Sequence, residues 1–247
     1  MFTSAERDLV RDHVLNLAKS DSRVTAGALT GSRAAGVEDQ WSDIDLAFGI
    51  ADDFNPKDVL DDWTEVFGRE LGAIHYWDLP FGASIYRVFL LPSGMEVDVA
   101  VTPQGEFGAR GPRFRTLFGT TRQLEPTLQP SARYLMGLGW HHVLHARSSI
   151  ERGKPWRAEY WISAIRDNTL ALACVRLGEE AAFGRGVDVL PGTVTEPLVD
   201  TLARSLDASE LRRALAVATA CLISETEAWN AALSAQLKPI LQEFGAL

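Results

Sequence analysis

Cysteine, methionine, tyrosine and histidine are all scarce in this chain, with two, three, four and five copies. Cys174 and Cys221 are too few for a disulfide-stapled scaffold or a cysteine-ligated zinc site. Both lie among small apolar residues at helical spacing, and they read as core thiols in a reducing compartment. No apolar run approaches the roughly 20 residues that a bilayer-spanning helix needs. The first ten residues carry Glu6, Arg7 and Asp8 where a signal peptide would need its apolar stretch, so a cytoplasmic chain without membrane attachment is expected. Basic residues are also in deficit. Lys and Arg number 24 against 33 Asp and Glu, a net charge of −9, which argues against a general nucleic-acid binder. A Gly-x-Ser-x-Gly elbow is missing, and Gly184-Arg185-Gly186 has too few glycines for a dinucleotide fold.

What is present is an ordinary globular composition, 46% hydrophobic and 23% charged over 247 residues, enough for one large domain or two modest ones. The charge is uneven: residues 1–125 sum to −8, and residues 126–176 to +4. The first half mixes periodicities. Helical spacing runs over 5–19 and 56–71, strand patterns over 24–30, 43–50 and 74–77, and Pro92-Ser93-Gly94 separates two alternating runs at 84–91 and 95–101 as in a β-hairpin. The Gly-, Pro- and Arg-rich stretch 103–130 reads as a linker. Beyond it the pattern is helical throughout, over 132–152, 158–177, 196–206, 209–227 and 228–244. The predicted plan is an α/β domain at 1–102, a mixed sheet flanked by helices, followed by an all-α helical bundle at 131–247.

The chemistry concentrates in the first domain. A strand ends at Gly31, where the missing side chain lets backbone approach a ligand, and Ser32 follows with a hydroxyl and an N–H. After ten further residues comes Asp43-Ile44-Asp45. Residues two apart on a strand share a face, so the two carboxylates project side by side while Ile44 and Leu46 enter the core. Adjacent carboxylates repel unless a cation lies between them, and hard oxygen ligands suit Mg²⁺. In Met95-Glu96-Val97-Asp98-Val99 the valines share one face, leaving Glu96 and Asp98 on the other as a source of a third carboxylate.

Gly31-Ser32, ten residues, Asp43-x-Asp45, and a later strand carboxylate before an apolar run together resemble the DNA polymerase β-like nucleotidyltransferase superfamily. Within it, the small two-domain bacterial enzymes that nucleotidylate aminoglycosides or lincosamides are similar in size and plan. The resemblance covers roughly residues 22–102. It implies Mg²⁺, ATP or another NTP, and transfer of a nucleoside monophosphate to a hydroxyl with loss of pyrophosphate. It assigns Asp43, Asp45 and Asp98 to the metal site, with Asp98 completing the metal set or acting as base and Glu96 in reserve. Gly31 and Ser32 correspond to the triphosphate turn, with Arg33 the nearby positive charge, and Ser42 to a hydroxyl within reach of phosphate.

Arg166 lies mid-helix among Ile162, Ile165, Leu170 and Leu172, where a charge is costly unless paired. It is expected to reach triphosphate oxygens, the alternative being a pair with Asp167. Residues 41–80 sum to −8, which favours a cationic acceptor. His141 and His145 have the i,i+4 spacing of zinc helices but no His-Glu-x-x-His glutamate, and with His142 they read as packed side chains. Trp156, Tyr160 and Trp161 are core residues or an acceptor-binding wall. Two functions stay open: transfer to a small molecule by a monomer or homodimer, and modification of a protein or RNA partner in a regulatory or toxin–antitoxin pair.

Overall fold

Thr3 caps the first helix: its hydroxyl accepts from the Glu6 N–H while the Glu6 carboxylate accepts from the Thr3 N–H. The computed structural model describes residues 2–245, which form two units parting between Thr127 and Leu128. In the first unit, helix α1 (Ser4–Ser20) leads into strand β1 (Val24–Thr30), the short helix α2 (Gly31–Ala35) and strand β2 (Ile44–Ile50). Helix α3 (Pro56–Val66) is capped by Asn55 and widens into a π turn at Phe67–Leu71. Strands β3 (His75–Phe81), β4 (Ser84–Leu90) and β5 (Glu96–Pro103) follow, then β6 (Gly108–Ala109), β7 (Phe114–Phe118) and β8 (Arg122–Gln123).

Six strands form one mixed sheet in the order β3-β4-β5-β2-β1-β7, in which β2 and β5 are parallel and the other pairs antiparallel. One sheet face is the core. Leu46, Phe48 and Ile50 of β2, Val97, Val99 and Val101 of β5, and Phe89 of β4 pack with Val14 and Ala18 of α1 and Val59, Leu60 and Trp63 of α3. Each fully buried side chain of this kind contributes roughly 1.5–3 kcal/mol. Phe67 stacks on Phe89 at 4.0 Å between centroids, and Trp63 meets Phe48 edge-on while its indole N–H donates to Asp21. The opposite sheet face carries the small side chains Ala26, Ala28, Ala47 and Ala100, with Phe107 packed on them.

In the first unit two boundaries differ from the sequence pattern. The stretch 103–130, read as a linker, folds for much of its length: β7 extends the sheet beside β1, and β6 pairs with β8. Strand β3 runs seven residues, past Pro80, because β4 pairs with it along its length and an edge strand tolerates a missing N–H.

The second unit is all helical: α4 (Ala132–Glu151), α5 (Pro155–Leu177), α6 (Gly192–Val199), α7 (Ala208–Trp229) and α8 (Ala231–Gly245). Its core joins Val143 and Ala146 of α4, Ile162 and Ile165 of α5, Leu215, Ala218 and Leu222 of α7, and Leu241 of α8. The helix expected over 196–206 instead spans Gly192–Val199. Arg213 explains its end, donating to the carbonyls of Asp200 and Leu202 and so satisfying acceptors beyond the last turn. Cys174 is buried and Cys221 half-buried, both as free thiols. Among the described residues no helix is long and apolar enough to cross a membrane.

Arg87 ties β3 and β4 to α3. Its guanidinium, 1% exposed, makes a two-pronged bond to Asp78 at 2.6 and 2.7 Å and donates to Asp61 and Thr64 at 2.9 and 2.8 Å. Removing one partner of a buried ionic group leaves the others desolvated and unpaired. Arg87→Ala should therefore lower stability by about 3 kcal/mol in urea unfolding followed by circular dichroism, with the secondary-structure signal of the folded state unchanged.

Candidate functional site

The carboxylates are gathered by the parallel register of β2 and β5. Ile44 pairs with Val97, Asp45 with Asp98 and Leu46 with Val99, so the acids of both strands leave the sheet on the face opposite the core. Asp43 immediately precedes β2, and Glu96 opens β5. Asp43, Glu96 and Asp98 each offer an oxygen within 4.8 Å of the others. Glu96, a reserve in the sequence reading, thus stands in the tightest oxygen set. Asp45 faces Asp98 across the strand pair, but its carboxylate lies against Gly31, where an added Cβ would come within 1.8 Å of Asp45 Oδ2. Gly31 also has a φ of +61°, so this position excludes other residues twice over.

Asp98 bears most of the electrostatic strain. Burial is the largest cause, and the charges of Asp45, Glu96 and Asp43 add to it, raising its pKa to about 7. Its Oδ1 is buried and has no hydrogen-bond partner. Ser32 Oγ, on the turn after β1, is likewise buried and unpartnered. Three carboxylates drawn together, one with an orphaned oxygen, form an all-oxygen donor set of the kind that holds Mg²⁺.

The remaining expected phosphate ligands of the first unit are engaged locally. Arg33 donates to Glu38 at 2.7 Å, and Glu38 also meets Arg7 and Arg11 at 3.3 Å each. Arg7 further donates to the carbonyls of Asp39 and Ser42, and the Ser42 hydroxyl is bonded to Asp39. These groups pin the loop that delivers Asp43. Arg166 belongs to α5 of the second unit, where it donates to Ser163 at 2.9 Å and Thr201 at 3.5 Å, with Asp167 3.9 Å away.

Tyr86 was not singled out by the sequence. It lies on β4 opposite Ala100, on the carboxylate face. Its phenol pKa is raised by burial first; Arg110 opposes the rise and the charge of Asp45 adds to it. Only strand register brings Tyr86 here, and no motif marks it.

His141 and His145 face each other with Nε2 atoms 3.0 Å apart, and His145 stacks on Trp161. Burial lowers the pKa of His142 and His145. Among the described residues only Asp43, Glu96 and Asp98 form a set of three metal-ligating groups. Trp156 and Tyr160 are exposed on α5.

No family model matches the sequence, and no curated protein matches it. Among solved structures, the chain is similar to the crystal structure of an aminoglycoside 6-adenyltransferase from Bacillus subtilis, at 15% sequence identity and a TM-score of 0.40, covering 94% of this chain and 96% of that one. A likeness of that strength says nothing about activity, and the geometry of the site stands by itself.

Two outcomes follow from that geometry. Gly36, at φ +75° with open space around its Cα, isolates the backbone cost of a left-handed residue. Gly36→Ala should cost about 1 kcal/mol, whereas Gly31→Ala should cost about 3 kcal/mol or more because Asp45 must also move; equal losses by urea unfolding would refute the close approach. The second outcome concerns pH. A carboxyl with a raised folded-state pKa holds its proton more tightly when folded, so the metal-free protein loses stability as pH climbs from the ordinary Asp value of 3.8 to about 7. Asp98→Asn should raise the melting temperature by a few degrees at about pH 8, and the advantage should vanish near pH 4.

Proposed function

We propose that this protein transfers a nucleoside monophosphate, AMP from ATP, to a hydroxyl of a small molecule and releases pyrophosphate. The observation that carries this reading is the oxygen set of Asp43, Glu96 and Asp98 on adjoining strands, with an orphaned buried oxygen on Asp98, beside the Gly31-Ser32 turn. Asp43, Glu96 and Asp98 would hold Mg²⁺, with Asp45 on the adjacent strand position. When bound, Mg²⁺ supplies charge neutralisation at the triphosphate and makes the acceptor hydroxyl more acidic.

The chain's own residues have three tasks. Gly31 makes room for the Asp45 carboxylate, and Ser32 supplies an unpartnered hydroxyl for triphosphate oxygens. Arg33 and Ser42 would join them only by leaving Glu38 and Asp39. The carboxylates orient the acceptor, whose oxygen bonds to the α-phosphorus as the bond to the pyrophosphate oxygen breaks. Asp98 takes the acceptor's proton on the carboxylate oxygen that the metal does not engage. Positioning and charge compensation supply most of the rate.

The test is incubation with Mg²⁺, α-labelled ATP and a panel of hydroxylated small molecules that includes aminoglycosides and lincosamides, read by product mass. A small-molecule adduct is expected. Label on protein or RNA instead would move the acceptor to a macromolecule, and no label anywhere would overturn the reading. Asp43→Ala and Asp45→Ala should abolish transfer with the fold intact by circular dichroism. Asp98→Asn should cost about 10²–10⁴-fold in turnover and Glu96→Gln less; the reverse ranking would assign the proton transfer to Glu96.

A further inference from the structure

The outer strands β3 and β4 present an apolar surface on the same sheet face as the carboxylates. Register fixes the rows. Trp77 lies opposite Val88, which lies opposite Asp98, which lies opposite Asp45; Leu79 lies opposite Tyr86, then Ala100, then Ala47. Residues directly opposite one another share a face, so Trp77, Leu79, Phe81, Tyr86, Val88 and Leu90 form one sheet-face platform that continues without a break into the acidic cluster. Trp77 is 54% exposed, Phe81 49%, Leu90 46% and Leu79 42%, an unusual density of uncovered apolar groups for one end of a sheet.

Three observations choose the occupant. First, the platform is uncharged. Asp78 and Arg87 lie on the opposite face and bond to each other, which leaves His75, opposite Leu90 at the end of the platform, as the one titratable nitrogen base that β3 and β4 place on this face. The Arg110 guanidinium lies 6.0 Å from the Phe81 ring centre, and its sign disfavours a cation beside that ring. Second, Pro80 takes a donor from the sheet edge, so strand-on-strand pairing with another chain is a poor use of β3. Third, α2 with its Gly31-Ser32 turn packs on β1, β2 and β7, while the platform lies beyond β5. The carboxylates thus separate a flank suited to phosphate from a flank suited to an apolar ring.

Resting on the transfer reading above, we infer that the β3–β4 platform binds the acceptor through an uncharged apolar or aromatic ring attached to the hydroxylated ring that reaches the carboxylates. Strands are spaced about 4.8 Å apart, so Trp77 stands about 10 Å from Asp98 along the row, one sugar ring away. This departs from the expectation of a cationic acceptor. The acids of residues 41–80 that prompted it are partly neutralised in the fold: Asp61 and Asp78 by Arg87, Asp62 by Arg23, Glu70 by Arg69.

The inference is tested with the full chain and two probes, phenyl β-D-glucoside and methyl β-D-glucoside, by saturation-transfer NMR titration, with Mg²⁺–ATP binding measured in parallel. The wild type should bind the phenyl probe about tenfold tighter than the methyl probe. Trp77→Ala should erase that preference and Trp77→Phe should keep it. Trp156→Ala, which removes an exposed indole from the second unit, should have no effect. ATP affinity should stay within about twofold throughout. The inference is overturned by equal binding of the two probes, by a preference that survives Trp77→Ala, by ATP affinity falling in Trp77→Ala, or by sedimentation showing a dimer that Trp77→Ala dissociates. Wild-type failure to bind ATP with the ring preference intact would strike the transfer reading and leave the platform standing.

Discussion

Crowding of negative charge on two neighbouring strands is the constraint from which this site is built. Parallel pairing sets Asp45 against Asp98, and the chain places Asp43 and Glu96 one pleat away. A pleated strand cannot splay these groups apart, because the alternate residues Leu46, Phe48, Val97 and Val99 are locked into the core on the other face. The repulsion is therefore imposed by hydrophobic burial elsewhere. It is expressed at Asp98 as an elevated proton affinity and an unmet acceptor.

The surroundings of the cluster follow from that constraint. Gly31 yields the space into which the Asp45 carboxylate leans. Glu38, 6% exposed, is the meeting point of Arg7, Arg11 and Arg33, and Arg7 also holds the carbonyls of the same loop. This clamp is rich in positive charge yet directed at the loop backbone, so it stabilises the approach of Asp43 without neutralising the acids themselves. Much of the other acidity of the first unit is consumed in ion pairs, those of the buried Arg87 guanidinium with Asp78 and Asp61 among them. Negative charge that looks diffuse along the chain thus becomes local in the fold, with the β3–β4 end of the carboxylate face left apolar.

The division between the two sources of information can be drawn residue by residue. Alternation along 43–50 and 95–101, the Gly31-Ser32 turn and the helical spacing after 131 were legible because they depend on the period of a strand or helix, a property of consecutive residues. So were the α/β and all-α halves and the facing of Asp43, Asp45, Glu96 and Asp98 away from the core. Register is a property of two segments far apart in the chain. Asp45 lies opposite Asp98 across more than fifty residues, so whether Glu96 or Asp45 joins the tight oxygen set, and that Tyr86 and Trp77 share the carboxylate face, was decided only by strand pairing. The same holds for β7, whose Phe114–Phe118, interrupted by Arg115 and Thr116, carries no clear strand pattern until β1 offers it an edge. Local period fixes which way a side chain points, but its neighbours across the sheet are chosen by the packing that sets the strands side by side.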